Sequence, residues 1–532
     1  MNSSVSFRPL LMGLCLGALC LWAGLGCSGG SGGGPAGGGY TPPSGTAVPL
    51  TAVEVAQVVA QAVAEATRLG AKAVIAVTNR EGVIRGVFRM DSATFAGEVA
   101  FPGAVTGCLP FPGYDACATG GVNCAIGKAR TAAYFSSTGE AFSTRTARFI
   151  ILDHFPPGVS NTAGGPLFGV NNSSLPGSDV LVGQLASSLV PVPAGLITPN
   201  GLSASDGGVP LYKGGFEVGG VGVSSDRPDL DERVALAAQR GFAPNPLIQA
   251  DQVLVDGIRL PYVQAVLPDL APAAPLSGTF AFPVIGDVTP AYTPTTLGGV
   301  TGEMRFPAID APGADVDRLK VADVQRILGQ GAAKAGSIRA AIRRPIGSTA
   351  QVFISVVDPS GVILGCFRTP DATLFSFDVS VQKARTAAFF SSDAVLSVPQ
   401  TAGFKALVGV ANTQPIAIST RAIGFLSQNF YPPGIDGTTA GPLFGLQACL
   451  ALGPSGNGIT VFAGGEPLYR NGKLVGAIGV SGDGIDQDDQ VADAGAEGFF
   501  PPASVLKSDQ LFFNGARLPY VKFPRNPGGG AG

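Results

Sequence analysis

Apolar residues recur at helical spacing from Thr51 to Leu69, where Ala52, Val55, Val59, Ala62, Val63 and Ala66 share one face and Gly70 ends the pattern. That spacing predicts an amphipathic helix. Ala73 to Thr78 and Val83 to Met90 follow as β-rich runs separated by Asn79-Arg80-Glu81-Gly82, which reads as a hairpin with glycine in its turn. The same hairpin returns as Val352 to Val357, Asp358-Pro359-Ser360-Gly361 and Val362 to Arg368. Each is followed by an Asp and then Ala-Thr, as Asp91 with Ala93-Thr94 and Asp371 with Ala372-Thr373.

The recurrence extends along most of the chain. Lys128-Ala129-Arg130-Thr131-Ala132-Ala133 reappears as Lys383-Ala384-Arg385-Thr386-Ala387-Ala388, small residues that suit a helix lying close on a sheet. Phe155-Pro156-Pro157-Gly158 and Gly165-Pro166-Leu167-Phe168-Gly169 match Tyr431-Pro432-Pro433-Gly434 and Gly441-Pro442-Leu443-Phe444-Gly445, which are loop elements. Gly207 to Val263 parallels Gly464 to Val521: Pro-Leu-Tyr, then a glycine-rich strand ending at Ser224-Ser225-Asp226 or Ser481-Gly482-Asp483, then an acidic helix start. The acids are Asp229, Asp231 and Glu232 in one copy and Asp486, Asp488 and Asp489 in the other. A repeat of this length defines two related domains. The order helix, hairpin, helix, strands, helix predicts an α+β fold, each domain an antiparallel sheet flanked by helices.

The spacing between equivalent residues falls from 279 at Ala73/Val352 to 255 at Lys128/Lys383, so the first copy carries 24 extra residues, around Cys108, Cys117 and Cys124. Insertions that differ between copies belong on surface loops. The expected divisions are a leader over 1–27, a Gly/Ser/Pro-rich tether over 28–49, domains over 50–265 and 319–523, a Pro/Ala-rich linker over 266–318 that wraps the surface or forms a small hairpin, and a disordered tail over 524–532. The linker lets the domains pack as a pseudo-two-fold pair, an intramolecular pairing that needs no second chain.

Only 13% of residues are charged and the net charge is −3, with no basic stripe, so nucleic acid is excluded as a partner. Arg8, the apolar run Leu10 to Leu25 and Ala23-Gly24-Leu25-Gly26-Cys27 read as a bacterial lipoprotein signal, with Cys27 the lipidated residue; cleavage without lipid and an uncleaved anchor are the alternatives. The expected location is the cell envelope, outside the cytoplasm, periplasmic or associated with an outer membrane through the N-terminal lipid. Cys108, Cys117, Cys124, Cys366 and Cys449 are then disulfide candidates, with at least one bond expected within the Cys108 to Cys124 insertion.

The hairpin followed by Asp, the Lys-Ala-Arg-Thr-Ala-Ala helix and the Gly-Gly-x-Pro-Leu-Tyr, Gly-x-x-Gly-Val-Ser and Asp-x-Asp-acid series together resemble the GlcG/HbpS-like domain, also called the haem-degrading domain. The resemblance covers most of both copies. It implies a sandwich of helices on a sheet, a tendency to assemble, and haem or a related tetrapyrrole as ligand.

Residues for such a ligand are sparse. His154 is the only histidine, and Phe430 stands at its equivalent position, which suits a hydrogen-bonded loop residue better than an axial ligand. Met90 has Thr369 opposite it. Arg130 and Arg385, with Lys128 and Lys383, are present in both copies and suit a carboxylate ligand such as a haem propionate; the structural alternative is capping of loop carbonyls or pairing with Asp91 and Asp371. Arg89 and Arg368 carry the same ambiguity, and Ser224 and Ser481 complete the candidate ligand-binding set. The glycine-rich strand lacks a dinucleotide fingerprint, and its glycines suit close packing. The acidic helix starts are explained by the helix dipole, so no metal site is assigned. No nucleophile, base and orienting group converge, so the reading is a non-catalytic ligand-binding protein, with an envelope interaction module as the alternative.

Overall fold

Helix α1 (Ala52–Leu69) opens with a capping box between Thr51 and Glu54 and closes on Gly70, whose φ of 70° is the left-handed geometry glycine accepts without strain. The computed structural model describes residues 39–94, 117, 121–152, 154–159, 162, 165–167, 170, 202–255, 257–266, 269, 271–288, 292–432, 438–444 and 457–522. The expected signal over 1–27 with Cys27, the start of the expected tether, Cys108, Cys449 and the expected tail over 524–532 lie outside the described residues. Residues 40–532 form one compact unit.

The first repeat runs β1 (Ala73–Asn79), β2 (Ile84–Met90), α2 (Gly121–Tyr134), α3 (Thr144–Ile150), β3 (Gly208–Lys213), β4 (Phe216–Ser225) and α4 (Pro228–Ala238). Helix α1 buries Val55, Val59, Ala62, Val63 and Ala66 in a core it shares with Val221 and Val223 of β4 and Val234 and Ala238 of α4. Helix α2 covers the other face. Glycine is required there, since a Cβ at Gly220 or Gly222 would lie 2.2 Å from the Ala129 carbonyl or 2.0 Å from that of Ala125. The strand is glycine-rich because a helix backbone rests on it.

Before the equivalent strands of the second repeat, the segment between the copies does more than connect. β5 (Gly278–Phe282) pairs with β2, while β6 (Pro294–Leu297) and β7 (Val300–Phe306) form a hairpin whose β7 pairs with the second sheet. This segment, expected to be a linker, thus completes one edge of each sheet. The second repeat follows as α5 (Val321–Ala335), β8 (Phe353–Val357), β9 (Ile363–Arg368), α6 (Phe375–Phe390), α7 (Thr420–Leu426), β10 (Gly465–Arg470), β11 (Lys473–Ser481) and α8 (Ile485–Gly495). The sheets have the orders β3-β4-β1-β2-β5 and β10-β11-β8-β9-β7-β6, and every pairing within them is antiparallel. The fold is α+β, as expected. On β11, a Cβ at Gly479 would meet the Ser380 carbonyl of α6 at 2.0 Å, the same close approach as in the first repeat.

The two repeats pack directly on one another. One apolar core joins Phe135, Phe142, Ile150 and Leu260 of the first to Phe353, Phe375, Phe377, Val379 and Phe462 of the second. Phe135 stacks on Phe375 with ring centroids 4.5 Å apart. Equivalent positions meet at His154 and Phe430, whose ring centroids lie 6.0 Å apart, a contact compatible with a pseudo-two-fold arrangement. The polar contacts are one-sided. Glu81, in the turn of the first hairpin, reaches Arg368 at 3.6 Å, whereas the equivalent Arg89 is exposed and donates to its own Ala93 carbonyl at 3.1 Å.

Candidate functional site

The Lys residues present in both repeats do the same job twice. Lys128 Nζ meets Asp231 Oδ2 at 2.8 Å and Lys383 Nζ meets Asp488 Oδ2 at 2.7 Å, each pair joining the helix on the sheet to the acidic helix that follows the glycine-rich strand. Neighbouring acids are also paired: Arg145 with Asp206 at 2.7 Å and Glu232 at 2.6 Å, Arg421 with Asp486 at 2.7 Å and with Asp489. Asp229, more exposed, pairs with Arg227 at 3.0 Å. The acidic series is therefore a set of ion-pair partners. Among the described residues no group of three or more His, Cys, Asp or Glu is arranged to hold a metal.

Arg130 and Arg385 take the structural alternative. Arg130 Nε donates to the Gly82 carbonyl at 2.9 Å, and Arg385 Nε donates to the equivalent Gly361 carbonyl at 2.8 Å, with Asn457 Oδ1 a further acceptor at 3.2 Å. Both are buried. They hold the turn of the first hairpin in each repeat, so a ligand carboxylate does not meet them at the cavity described below. Arg368 likewise donates to the Ala372 carbonyl, at 2.7 and 3.0 Å.

A cavity of about 500 Å³ lies where the repeats meet. Phe135, Phe142 and Leu260 line it from the first repeat and Phe375, Val379 and Phe462 from the second. Its polar border includes Lys383, Ser481 and Asp488, with Arg421, Lys522 and Glu140. Of the candidate set, then, the second repeat's Lys383 and Ser481 reach the cavity. Ser224 and Lys128, their buried equivalents, do not border it. Burial pushes Asp488 up to about 7 against the pull of Lys383, and burial lowers Lys383. Both shifts have one cause: a charged pair withdrawn from water.

Sequence reasoning missed the residues that build this border from afar. Arg343, in the 336–352 loop before β8, donates to Asp483 Oδ2 at 2.9 Å, Ser137 Oγ at 2.8 Å, Glu140 Oε1 at 3.2 Å and Asp371. Asp371 also accepts from the Thr138 and Gly139 backbone N–H groups at 3.0 and 3.2 Å. Burial raises Glu140 despite Arg343. Nearby, Arg305 of β7 meets Glu81 at 2.6 Å; burial opposes ionisation of Glu81, yet Arg305 holds it down at about 2. These contacts tie the repeats together across loops that differ between the copies, so the repeat gave no signal for them.

His154 Nδ1 lies 2.9 Å from the Thr162 carbonyl and 2.8 Å from Asn429 Nδ2, a hydrogen-bonded loop residue outside the cavity lining. Cys117 and Cys124 form a disulfide at the start of α2. Cys366 is buried in β9, where Ser355 Oγ donates to its sulfur at 3.2 Å.

The family model described as "Haem degrading protein HbpS-like" matches residues 113–240 and 330–497. The corrinoid adenosyltransferase PduO of Salmonella typhimurium is 29% identical over 154 residues, 29% of this chain and 34% of that protein. The chain thus spans about a third of the length of that relative. An uncharacterised 15.0 kDa protein from the dhaT-dhaS intergenic region of Citrobacter freundii is 29% identical over 148 residues, 28% of this chain and 75% of that protein. Among solved structures, Klebsiella pneumoniae ORFY is 24% identical with a TM-score of 0.22, over 35% of this chain and 92% of that one. A PduOC:heme complex is 22% identical with a TM-score of 0.20, over 34% and 94%. The family match falls on both copies of the repeat and takes in more than half of the residues: the chain belongs to the HbpS-like family, in two tandem copies.

Proposed function

We propose that this chain is a lipid-anchored protein of the bacterial envelope, outside the cytoplasm, that binds a small molecule in the cavity between its repeats, with haem or another tetrapyrrole as the ligand class. The observation that carries the reading is the cavity itself. Its volume of about 500 Å³ lies in the range of small-molecule sites, and Phe135, Phe142, Phe375 and Phe462 offer it the apolar walls a macrocycle needs. The family description supplies the ligand class. The lining fits a tetrapyrrole body and does not fit a ligated haem iron, because no His, Cys, Met or Tyr is among the described residues that border it. The reading is therefore one of binding through the macrocycle, with no chemistry assigned to iron. The test is a titration of the mature chain with haemin and with protoporphyrin IX, followed by absorbance. Saturable binding of tetrapyrrole at one per chain supports the reading. Its absence for both leaves the interaction-module alternative.

Anchoring rests on Arg8, the apolar run Leu10 to Leu25 and the small residues before Cys27. No helix among the described residues is long and apolar enough to cross a membrane. Cys27→Ser should move the protein from the detergent phase to the aqueous phase. Unchanged partitioning defeats the proposal of a lipid anchor.

A further inference from the structure

The two repeats differ at one atom beside the cavity. In the first, Asp231 is fully used: Oδ2 takes Lys128, and Oδ1 accepts from Ser225 Oγ at 2.5 Å. In the second repeat the equivalent of Ser225 is Gly482, and Asp488 Oδ1 has no hydrogen-bond partner among the described residues although Asp488 is only 3% exposed. Serine cannot be restored at that position without moving the backbone, because a Cβ on Gly482 would lie 2.1 Å from the Gln351 carbonyl. An orphaned buried acceptor of this kind is a net cost to the fold unless something donates to it.

A second orphan borders the same cavity from the opposite repeat. Glu140 is 1% exposed; its Oε1 receives Arg343, and its Oε2 is unpartnered among the described residues. The cations of the border are by contrast already engaged. Lys383 meets Asp488 and the Val480 carbonyl, Arg421 meets Asp486 and Asp489, and Lys522 meets Asp486 at 3.0 Å. The two buried atoms of Asp488 and Glu140 left without a partner among the described residues are both acceptors, and apolar walls surround them.

We infer that this cavity selects ligands whose apolar body carries N–H donors, an ammonium or an N–H heterocycle, with Asp488 Oδ1 and Glu140 Oε2 as the acceptors. The inference rests on the proposed small-molecule role and deepens it by naming the hydrogen-bonding group that the ligand's apolar body must carry. It also sets the cavity against simple carboxylates wherever Asp488 and Glu140 are ionised, because the cations of the border are already paired.

The test uses two probes with one apolar body and opposite charge, 1-naphthylmethylamine and 1-naphthylacetate, titrated into the mature chain by calorimetry. The amine should bind at least 10-fold more tightly than the acid. Glu140→Gln and Asp488→Asn, each checked for folding by circular dichroism, should weaken the amine 5-fold or more and leave the acid unchanged or improved. Glu140→Gln leaves Arg343 with Asp371 and Asp483, so it keeps a folded variant in the comparison if Asp488→Asn does not fold. Equal affinity for the two probes, preference for the acid, no binding of either, or a folded Glu140→Gln chain that binds the amine as wild type would overturn the inference. The tetrapyrrole titration stands apart: porphyrin binding with acid preference would retain the proposed function and sink only the donor selectivity.

Discussion

Replacing Arg343 by Met tests the charge network that joins the repeats. Methionine keeps much of the apolar stem and removes the guanidinium that meets Glu140, Asp371 and Asp483. The side chains of Glu140 and Asp483 are 1% exposed, whereas that of Asp371 is 24% exposed and keeps some hydration. Losing one partner of a buried pair costs roughly 3–5 kcal/mol. Protonation caps the loss: neutralising a carboxyl with an ordinary pKa of about 4.3 costs about 4 kcal/mol at pH 7 and about 1 kcal/mol at pH 5. Burial already raises Glu140 and Asp483 in the intact protein, so part of that cost is present before the substitution and a single carboxyl sets the scale. The sign follows from linkage. A carboxyl whose folded pKa is raised contributes stability that is present below its unfolded pKa and lost as pH rises through the folded value. Arg343→Met should therefore destabilise by up to about 4 kcal/mol at pH 7 and by no more than about 1 kcal/mol at pH 5. The assay is urea unfolding followed by far-ultraviolet circular dichroism. Glu140→Gln in the Arg343→Met background should recover part of the loss. A penalty below about 1 kcal/mol at both pH values would refute the claim that buried charge pairing holds the repeats together.

Three further outcomes follow from the geometry. Phe375→Ala removes the ring stacked on Phe135 and opens the cavity wall, so it should cost about 3–5 kcal/mol in the same assay; a cost under about 1 kcal/mol would mean that the shared core is not formed. Asp488, with a folded pKa of about 7 against an ordinary 3.8, makes the intact protein lose up to about 4 kcal/mol between pH 4 and pH 8. Asp488→Asn should flatten that part of the pH profile, and an unchanged profile would contradict a raised carboxyl. Cys117→Ser should lower stability by about 2 kcal/mol and abolish the Cys117–Cys124 cross-linked peptide in non-reducing maps; an intact cross-link to another cysteine would reassign the pairing.

Periodicity and duplication made the fold readable. The apolar face of α1, the two hairpins and the small-residue helix over a glycine-rich strand all follow from local rules: a 3.6-residue period, turn glycines and the backbone approach at Gly222 and Gly479. Repetition marks what a fold needs, however, and not what a ligand needs. Arg130 and Arg385 recur because each caps a turn carbonyl of the first hairpin in its repeat. A small hairpin is one of the two forms expected of the linker, and residues 294–306 form it; that these strands and β5 join the two sheets was not legible, because edge strands rich in Thr, Pro and Gly lack a buried alternating face and their pairing is set by β2 and β9. Arg343 and Glu140 escaped notice because they lie far apart in the chain and meet only when the repeats pack. The difference between Ser225 and Gly482 was visible in the repeat, but its meaning required the geometry of Asp488.

The most direct measurement of the binding account compares tetrapyrrole titrations of the mature chain and its Val461→Trp variant. Val461 borders the cavity and is partly buried, so an indole there fills ligand space while circular dichroism reports whether the fold is kept. The account predicts one saturable site per chain in the native protein and at least a 10-fold loss of affinity in the folded variant. Undiminished binding by the folded variant would place the ligand elsewhere on the molecule, and the absence of saturable binding in the native protein would contradict the account outright.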